Sequence, residues 1–295
     1  MSQAVVAYGI GATKAGTSWL HRYLSSHPEC HFRAIKELHY FDAVERGFPN
    51  WISKMIAGDR DRAANRGRTD AVADHDAWLS VLNAKREDDA AYLSYLNEGQ
   101  GNARVVGDVT PAYALLPGHR LKQMAALAPR TKFIFLMRDP LDRLWSNIRM
   151  MAGFDGRGGQ QLENKAARLV EQVLKNPKSE AGIRSDYVGM LRRIRNAVPG
   201  ADLLVEFYER LFTPAAVQRI CEFLGLSAHP ADFDTRVHAG RSLAMAPAQR
   251  AAALQMLAPQ YAHVATEFPD LPPRWQAHLA ELGSLKTHPT EGGAG

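Results

Sequence analysis

Residues 5–19 read Val5-Val-Ala-Tyr-Gly9-Ile-Gly11-Ala-Thr-Lys14-Ala15-Gly16-Thr17-Ser18-Trp19, and this stretch decides the fold. Val5 to Ile10 is a short apolar run of the buried-strand kind, punctuated by glycines at 9, 11 and 16. Thr17 to Ser26 then sets Trp19, Leu20, Tyr23 and Leu24 on one side of a helix. His27-Pro28 stops it, because proline cannot continue the hydrogen-bond ladder. A glycine-rich turn between strand and helix aims backbone N–H groups at one spot, where the helix N-terminus adds partial positive charge. One phosphate or sulfate fits such a concavity. Lys14 supplies a full charge there, and Thr17 and Ser18 supply hydroxyl donors. The spacing departs from the nucleoside-triphosphate loop G-x-x-x-x-G-K-[ST]. Gly11 and Gly16 fit, but Thr17 stands where lysine is required. That shift argues against an ATPase or kinase. The same residues also suit a plain tight turn with a surface lysine.

The second decisive stretch is Lys132-Phe-Ile-Phe-Leu-Met137, a continuous apolar run of the kind buried on both faces of a parallel sheet. Arg138-Asp-Pro140 ends it, and Pro140 suits the first turn of a following helix. Leu141, Leu144, Trp145 and Ile148 mark that helix's buried face. Ligands of open parallel sheets bind beyond the carboxyl ends of the strands. Arg138 stands at such an end, and its planar fork of donors matches phosphate oxygens. Ser146, two turns on, can add a hydroxyl. The alternative pairs Arg138 with Asp139 or Asp142 and leaves Ser146 solvated.

The rest of the 295 residues fits one large α/β domain over 1–285, with a central, mostly parallel sheet flanked by helices. Residues 43–104 read as a helical insertion on the acceptor side, and 286–295 as a flexible tail. Further strands are expected at Arg104–Gly107 and Leu203–Phe207, and helices at 118–128, 184–197 and Pro214–Leu224. Residues 152–160 are glycine-rich and read as a mobile loop. The last third reads as helical segments broken by Pro247, Pro259 and Pro269. Hydrophobic residues at 46% and charged residues at 23% exclude a disordered or fibrous chain. A formal charge of +5 suits an anionic ligand. The apolar stretch Ala4 to Ala12 is about half of the ~20 residues that a spanning helix needs. It lacks the flanks of a signal peptide. Two cysteines, Cys30 and Cys221, make no disulfide framework, which suggests a reducing, cytoplasmic setting. His21, His27, His31 and His39 show no metal-ligand spacing, so no metal is expected. Arg60, Arg62, Arg66 and Arg68 interleave with Asp59, Asp61, Asp70 and Asp74 near Trp51 and Trp78, which reads as a solvated mixed-charge face.

Taken together, the motifs resemble a family. Lys14-Ala15-Gly16-Thr17-Ser18-Trp19-Leu20 is similar to the 5′-phosphosulfate loop of sulfotransferases that use 3′-phosphoadenosine 5′-phosphosulfate. Arg138-Asp-Pro-Leu-Asp-Arg-Leu-Trp-Ser146 is similar to their 3′-phosphate element. Glu37-Leu-His39-Tyr-Phe-Asp42 resembles the segment after the first helix in the heparan-type branch. Gly107-Asp-Val-Thr-Pro-Ala-Tyr113 resembles the G-E-x-[ST]-P-x-Y stretch. Ser185-Asp-Tyr187 and the strand before Tyr208-Glu209 also fit. Val109 stands where the heparan-type enzymes usually carry a lysine.

The resemblance implies a P-loop-like sulfotransferase fold and transfer of a sulfuryl group to a hydroxyl or amine of a small-molecule, glycan or lipid acceptor. It implies that Lys14 stabilises the leaving oxygen while Ala15, Gly16, Thr17, Ser18 and Trp19 hold the 5′-phosphate. Arg138 and Ser146 would hold the 3′-phosphate, and Gly240 and Arg241 belong to a later nucleotide-contacting loop. Glu37 would be the general base, with His39 orienting it or sharing the role. The product is adenosine 3′,5′-bisphosphate, and no metal is required if lysine and amides supply the charge. Two rival readings remain, an ATP-dependent small-molecule kinase of related fold and a non-catalytic nucleotide-binding protein. A nucleic-acid binder fits least, since Arg192-Arg-Ile-Arg195 lacks aromatic interleaving.

Overall fold

The computed structural model describes residues 4–154, 156, 158–233 and 243–287. Its centre is the apolar run read first from the sequence. Strand β1 (Val5–Gly11) is buried along its whole length. It lies between β3 (Val105–Val109) and β4 (Thr131–Met137), parallel to both, with Val5 opposite Val105 and Val6 opposite Thr131. A three-residue strand β2 (Cys30–Phe32) pairs in parallel with β3, and β5 (Leu203–Phe207) completes the order β2-β3-β1-β4-β5. The mostly parallel sheet expected from the sequence is therefore present. Strand β2 was not expected. Gly107 is required where β3 passes its neighbours, because a Cβ there would lie 2.2 Å from the Ala7 carbonyl and 2.7 Å from the Phe32 ring.

Helix α1 (Thr17–Ser26) follows β1 and ends before Pro28, as the sequence requires. The segment expected to be a helical insertion holds the end of α2 (Tyr40–Glu45), then α3 (Asn50–Ala64), α4 (Thr69–Asn83) and α5 (Asp89–Asn97). Helices α3 and α4 pack together, burying Ile52 and Ile56 from one and Trp78 and Leu82 from the other. On their outer sides Arg60 pairs with Asp76 and Asp61, and Arg62 with Asp59. Part of the mixed-charge face expected from the sequence is present here, and exposed pairs of this kind add little stability. Asp74 is not in it: it is buried and bonded to Arg33. Helix α6 (Gly118–Ala126) precedes β4, and α7 (Pro140–Gly153) follows it.

The described residues fall into two compact units. One comprises Met1–Met137, Arg192–Glu206 and Leu211–Val237; the other comprises Arg138–Leu191, Phe207–Arg210 and His238–Gly295. In the second, α7 packs on the helix Gly159–Lys175, which packs on the helix Pro247–Met256. Pro247 and Pro259 occupy first turns of helices, where the missing N–H has no intrahelical partner to lose. They start helices rather than interrupt them. Among the described residues, no helix is long and apolar enough to cross a membrane.

Candidate active site

In the first unit the turn after β1 is anchored at its start. Ala12 N–H donates to the Leu136 carbonyl at 2.6 Å, and Ala15 N–H to the Ala12 carbonyl at 3.1 Å. Two residues then take left-handed backbone, Lys14 at φ 71° and Gly16 at φ 95°. Glycine adopts this freely; for lysine it costs about 1–3 kcal/mol. Gly16 precedes α1 and offers no side-chain cap; its carbonyl accepts from Trp19 N–H at 3.0 Å and Leu20 N–H at 3.1 Å. Ser18 and Lys14 are half-buried, while Ala15 and Thr17 are buried. Trp19 is 3% exposed, stacks on Tyr23 at 5.5 Å and donates its indole N–H to the Asp232 carbonyl at 3.0 Å. It fixes the helix in the core.

The segment carrying Glu37 and His39 is held from several sides. Asp74 receives Arg33 Nε at 2.6 Å, Ala34 N–H at 2.8 Å and the Tyr95 hydroxyl at 3.0 Å. Trp78, fully buried, donates its indole N–H to the Leu38 carbonyl at 3.1 Å. Beyond it, His39 N–H donates to Thr110 Oγ1 at 3.4 Å and Tyr40 N–H to the Tyr113 hydroxyl at 2.9 Å. Both hydroxyls donate in turn to the buried Asp108 carboxylate, each at 2.7 Å, and Tyr92 adds a third bond at 3.1 Å. Burial raises the Asp108 pKa, against the opposing pull of these hydroxyls. Replacing Trp78 with phenylalanine keeps an aromatic core residue but leaves the Leu38 carbonyl unpaired. The expected cost is about 1–3 kcal/mol, read as a lower urea midpoint with an unchanged slope.

Glu37 and His39 themselves take left-handed backbone, at φ 67° and 56°. This presents both side chains to each other. His39 Nδ1 lies 2.8 Å from Asp42 Oδ2, and its Nε2 lies 3.5 Å from Glu37 Oε2. Lys36 binds the other Glu37 oxygen. Burial pulls the His39 pKa down, but the hydrogen bonds and charges of Asp42 and Glu37 outweigh it and raise it to about 9. Burial pushes Glu37 up, but the His39 contact and the Lys36 charge outweigh that and lower it to about 2. The cluster therefore favours the protonated imidazole of His39 and the ionised carboxyl of Glu37. Thr110 directly follows β3, and Val109 pairs with Gly9 of β1. The carboxylate cluster and the Lys14 turn therefore share the carboxyl edge of adjacent strands. Val109, at the position of a lysine in the heparan-type pattern, is buried against Gly9.

In the second unit Arg138 is half-buried, its guanidinium 4.5 Å from the Tyr208 ring centre. Its backbone is clamped by Tyr187, whose hydroxyl donates to the Arg138 carbonyl at 2.7 Å and accepts from its N–H at 3.1 Å. Asp139 caps α7 by accepting from Asp142 N–H at 3.0 Å; it also receives the Tyr261 hydroxyl at 2.9 Å and lies 2.8 Å from His278 Nδ1. Arg274 binds Asp142 with two nitrogens, at 2.8 and 2.9 Å. Burial pushes the Asp142 carboxyl up, but Arg274, helped by the charge of Arg138, holds it below the ordinary value. Ser146 is half-buried on the same helix. Gly240 and Arg241 lie outside the described residues. Sequence reasoning assigned no role to Asp42, Asp108 or Thr110. The spacing of three between His39 and Asp42 was the one available signal for the first of these.

A family model described as "Sulfotransferase family" matches residues 7–230. The chain belongs to the sulfotransferase family. Its fold is that of solved bacterial sulfotransferases. A sulfotransferase from Alicyclobacillus acidocaldarius superposes with a TM-score of 0.64 at 21% identity, covering 94% of this chain and 100% of the other. The sulfotransferase domain of the Synechococcus PCC 7002 olefin synthase gives 0.51 at 18% identity, covering 91% and 96%. No curated protein sequence matches this sulfotransferase. The family establishes sulfuryl transfer in general terms and, with it, the need for an acceptor.

Proposed function

We propose that this sulfotransferase, acting over residues 1–285 as one catalytic domain, uses 3′-phosphoadenosine 5′-phosphosulfate as donor. The acceptor is a hydroxyl or amine of a small molecule, glycan or lipid headgroup. The observation that carries the reading is the anion-seeking turn of Lys14 on the same sheet edge as the ionised Glu37. The residues fit an anionic donor. Lysine, the N-terminus of α1 and two hydroxyls form a donor set that carries positive charge.

Sulfuryl transfer needs in-line approach and charge neutralisation on the leaving oxygen. The acceptor oxygen or nitrogen forms a bond to sulfur as the bond from sulfur to the 5′-phosphate oxygen breaks. Lys14 stabilises the electron pair left on that oxygen, and Gly16, Thr17 and Ser18 hold the phosphate. Glu37 accepts the acceptor's proton. His39, already protonated below about pH 9, serves to orient Glu37 rather than to act as a base. Arg138 and Ser146 take the 3′-phosphate, which ATP lacks. The charge required is supplied by side chains and amides without a metal. A cytoplasmic setting is part of the same proposal.

Calorimetric titration separates this reading from its rivals. Adenosine 3′,5′-bisphosphate is expected to bind at least about tenfold more tightly than ATP-Mg²⁺, and Arg138→Ala to erase most of that preference. Preferential binding of ATP would return the kinase reading. Tight bisphosphate binding with no labelled sulfuryl transfer across an acceptor panel would leave a binding protein.

A further inference from the structure

We propose that Trp51 is the acceptor-positioning residue of this site, its exposed indole face seating the flat face of a ring that carries the group to be sulfated. The inference rests on the sulfuryl-transfer reading above. Among the described residues, four large apolar side chains are exposed: Trp51 at 48%, Phe154, Ile183 and Phe212. Trp51 lies against the catalytic cluster, its ring centre 5.9 Å from that of His39 at an interplanar angle of 73°. The far nitrogen of that imidazole is 3.5 Å from the Glu37 carboxylate. His39 thus touches the indole on one contact and the proposed base on another. An acceptor with its hydroxyl on Glu37 lays its body over the indole.

The platform is rigid. Trp51 sits in the first turn of α3, where Ile52 and Ile56 are buried against α4. Helix α4 also supplies Trp78, which grips the Leu38 carbonyl between Glu37 and His39. One helix pair therefore fixes both the platform and the base, which is the preorganisation that orientation demands. An exposed indole gains from being covered by a flat C–H-rich or π surface. An unbranched alcohol offers no such face. Aryl and pyranose rings share this chemistry, and the experiment distinguishes them.

Three acceptor probes are compared with 3′-phosphoadenosine 5′-phosphosulfate as donor: 2-naphthol, methyl β-D-glucopyranoside and 1-pentanol. Trp51→Ala is expected to raise KM for the ring acceptor that is used by about tenfold or more, with kcat changed by less than about threefold. Trp51→Phe restores KM to within about threefold, and bisphosphate affinity is the same in all variants. Transfer to the naphthol assigns an aryl acceptor, and transfer to the glucoside a sugar. Saturation-transfer NMR reads ring contact without turnover, with and without adenosine 3′,5′-bisphosphate; the contact is expected in wild type and lost in Trp51→Ala. Ring contact that survives Trp51→Ala, no ring contact in wild type, or equal use of 1-pentanol overturns the proposal. Failure of the donor reading shows separately, as absence of bisphosphate binding, and leaves the NMR comparison intact.

Discussion

Replacing Lys14 with alanine lowers kcat for sulfuryl transfer by about 10²–10³-fold or more, while the circular dichroism spectrum and the unfolding midpoint stay near wild type. The magnitude follows from the role proposed for Lys14. A preorganised charge aimed at an oxygen that gains charge only in the transition state acts on kcat more than on binding. The magnitude is that seen when one such donor is removed. The fold is spared because the turn is anchored by backbone bonds, from Ala12 to Leu136 and from Ala15 to Ala12, which alanine at position 14 leaves in place. Lys14→Arg keeps the charge but moves it on a longer, planar head, so partial recovery is expected. Near-normal turnover of Lys14→Ala would remove lysine from the chemistry.

The second large effect lies in pH. The His39 pKa is raised from its ordinary value to about 9 in the folded chain. Protonated His39 therefore stabilises the fold fully below about pH 6.5, and this is lost as pH rises through about 9. The shift corresponds to about 3 kcal/mol as an upper bound, shared with Glu37 and Asp42 as one cluster. Glu37 behaves oppositely. Its pKa is depressed to about 2, so its contribution is present above about pH 4.5 and fades as pH falls through about 2. Urea midpoints of wild type are expected to fall between pH 6.5 and 9.5, and those of His39→Gln to stay flat over that interval. The same deprotonation strips Glu37 of its imidazolium partner, so wild-type kcat/KM declines above about pH 9. A His39→Gln variant that keeps the wild-type slope would show that another group titrates there.

Much of this architecture is readable from local pattern. Strands β1 and β4 and the strand Leu203–Phe207 are short apolar runs bracketed by glycine, proline or charge, and such runs have few alternatives in an α/β chain. Helix α1 and the helix Pro214–Leu224 carry their own stop signals. Strand β2 escapes because Cys30-His-Phe32 is half-exposed at every position and owes its conformation to β3. The candidate site is named in the sequence by residue types, and its geometry is not. Nothing local marks Lys14, Glu37 and His39 as left-handed. That conformation is imposed by distant partners, such as Leu136 for the turn and Thr110, Tyr113 and Trp78 for the second segment. Trp51 and Trp78 look alike in the sequence, yet one is exposed beside His39 and the other is wholly buried against the Leu38 carbonyl.

The left-handed lysine sets heat resistance against turnover. Glycine takes the conformation at position 14 without penalty, so a library of variants screened only for survival on heating should drift toward Lys14→Gly and away from the ammonium group. Lysine persists there only where the screen also demands product. A thermostabilised version of this catalyst should therefore be built with that codon held constant.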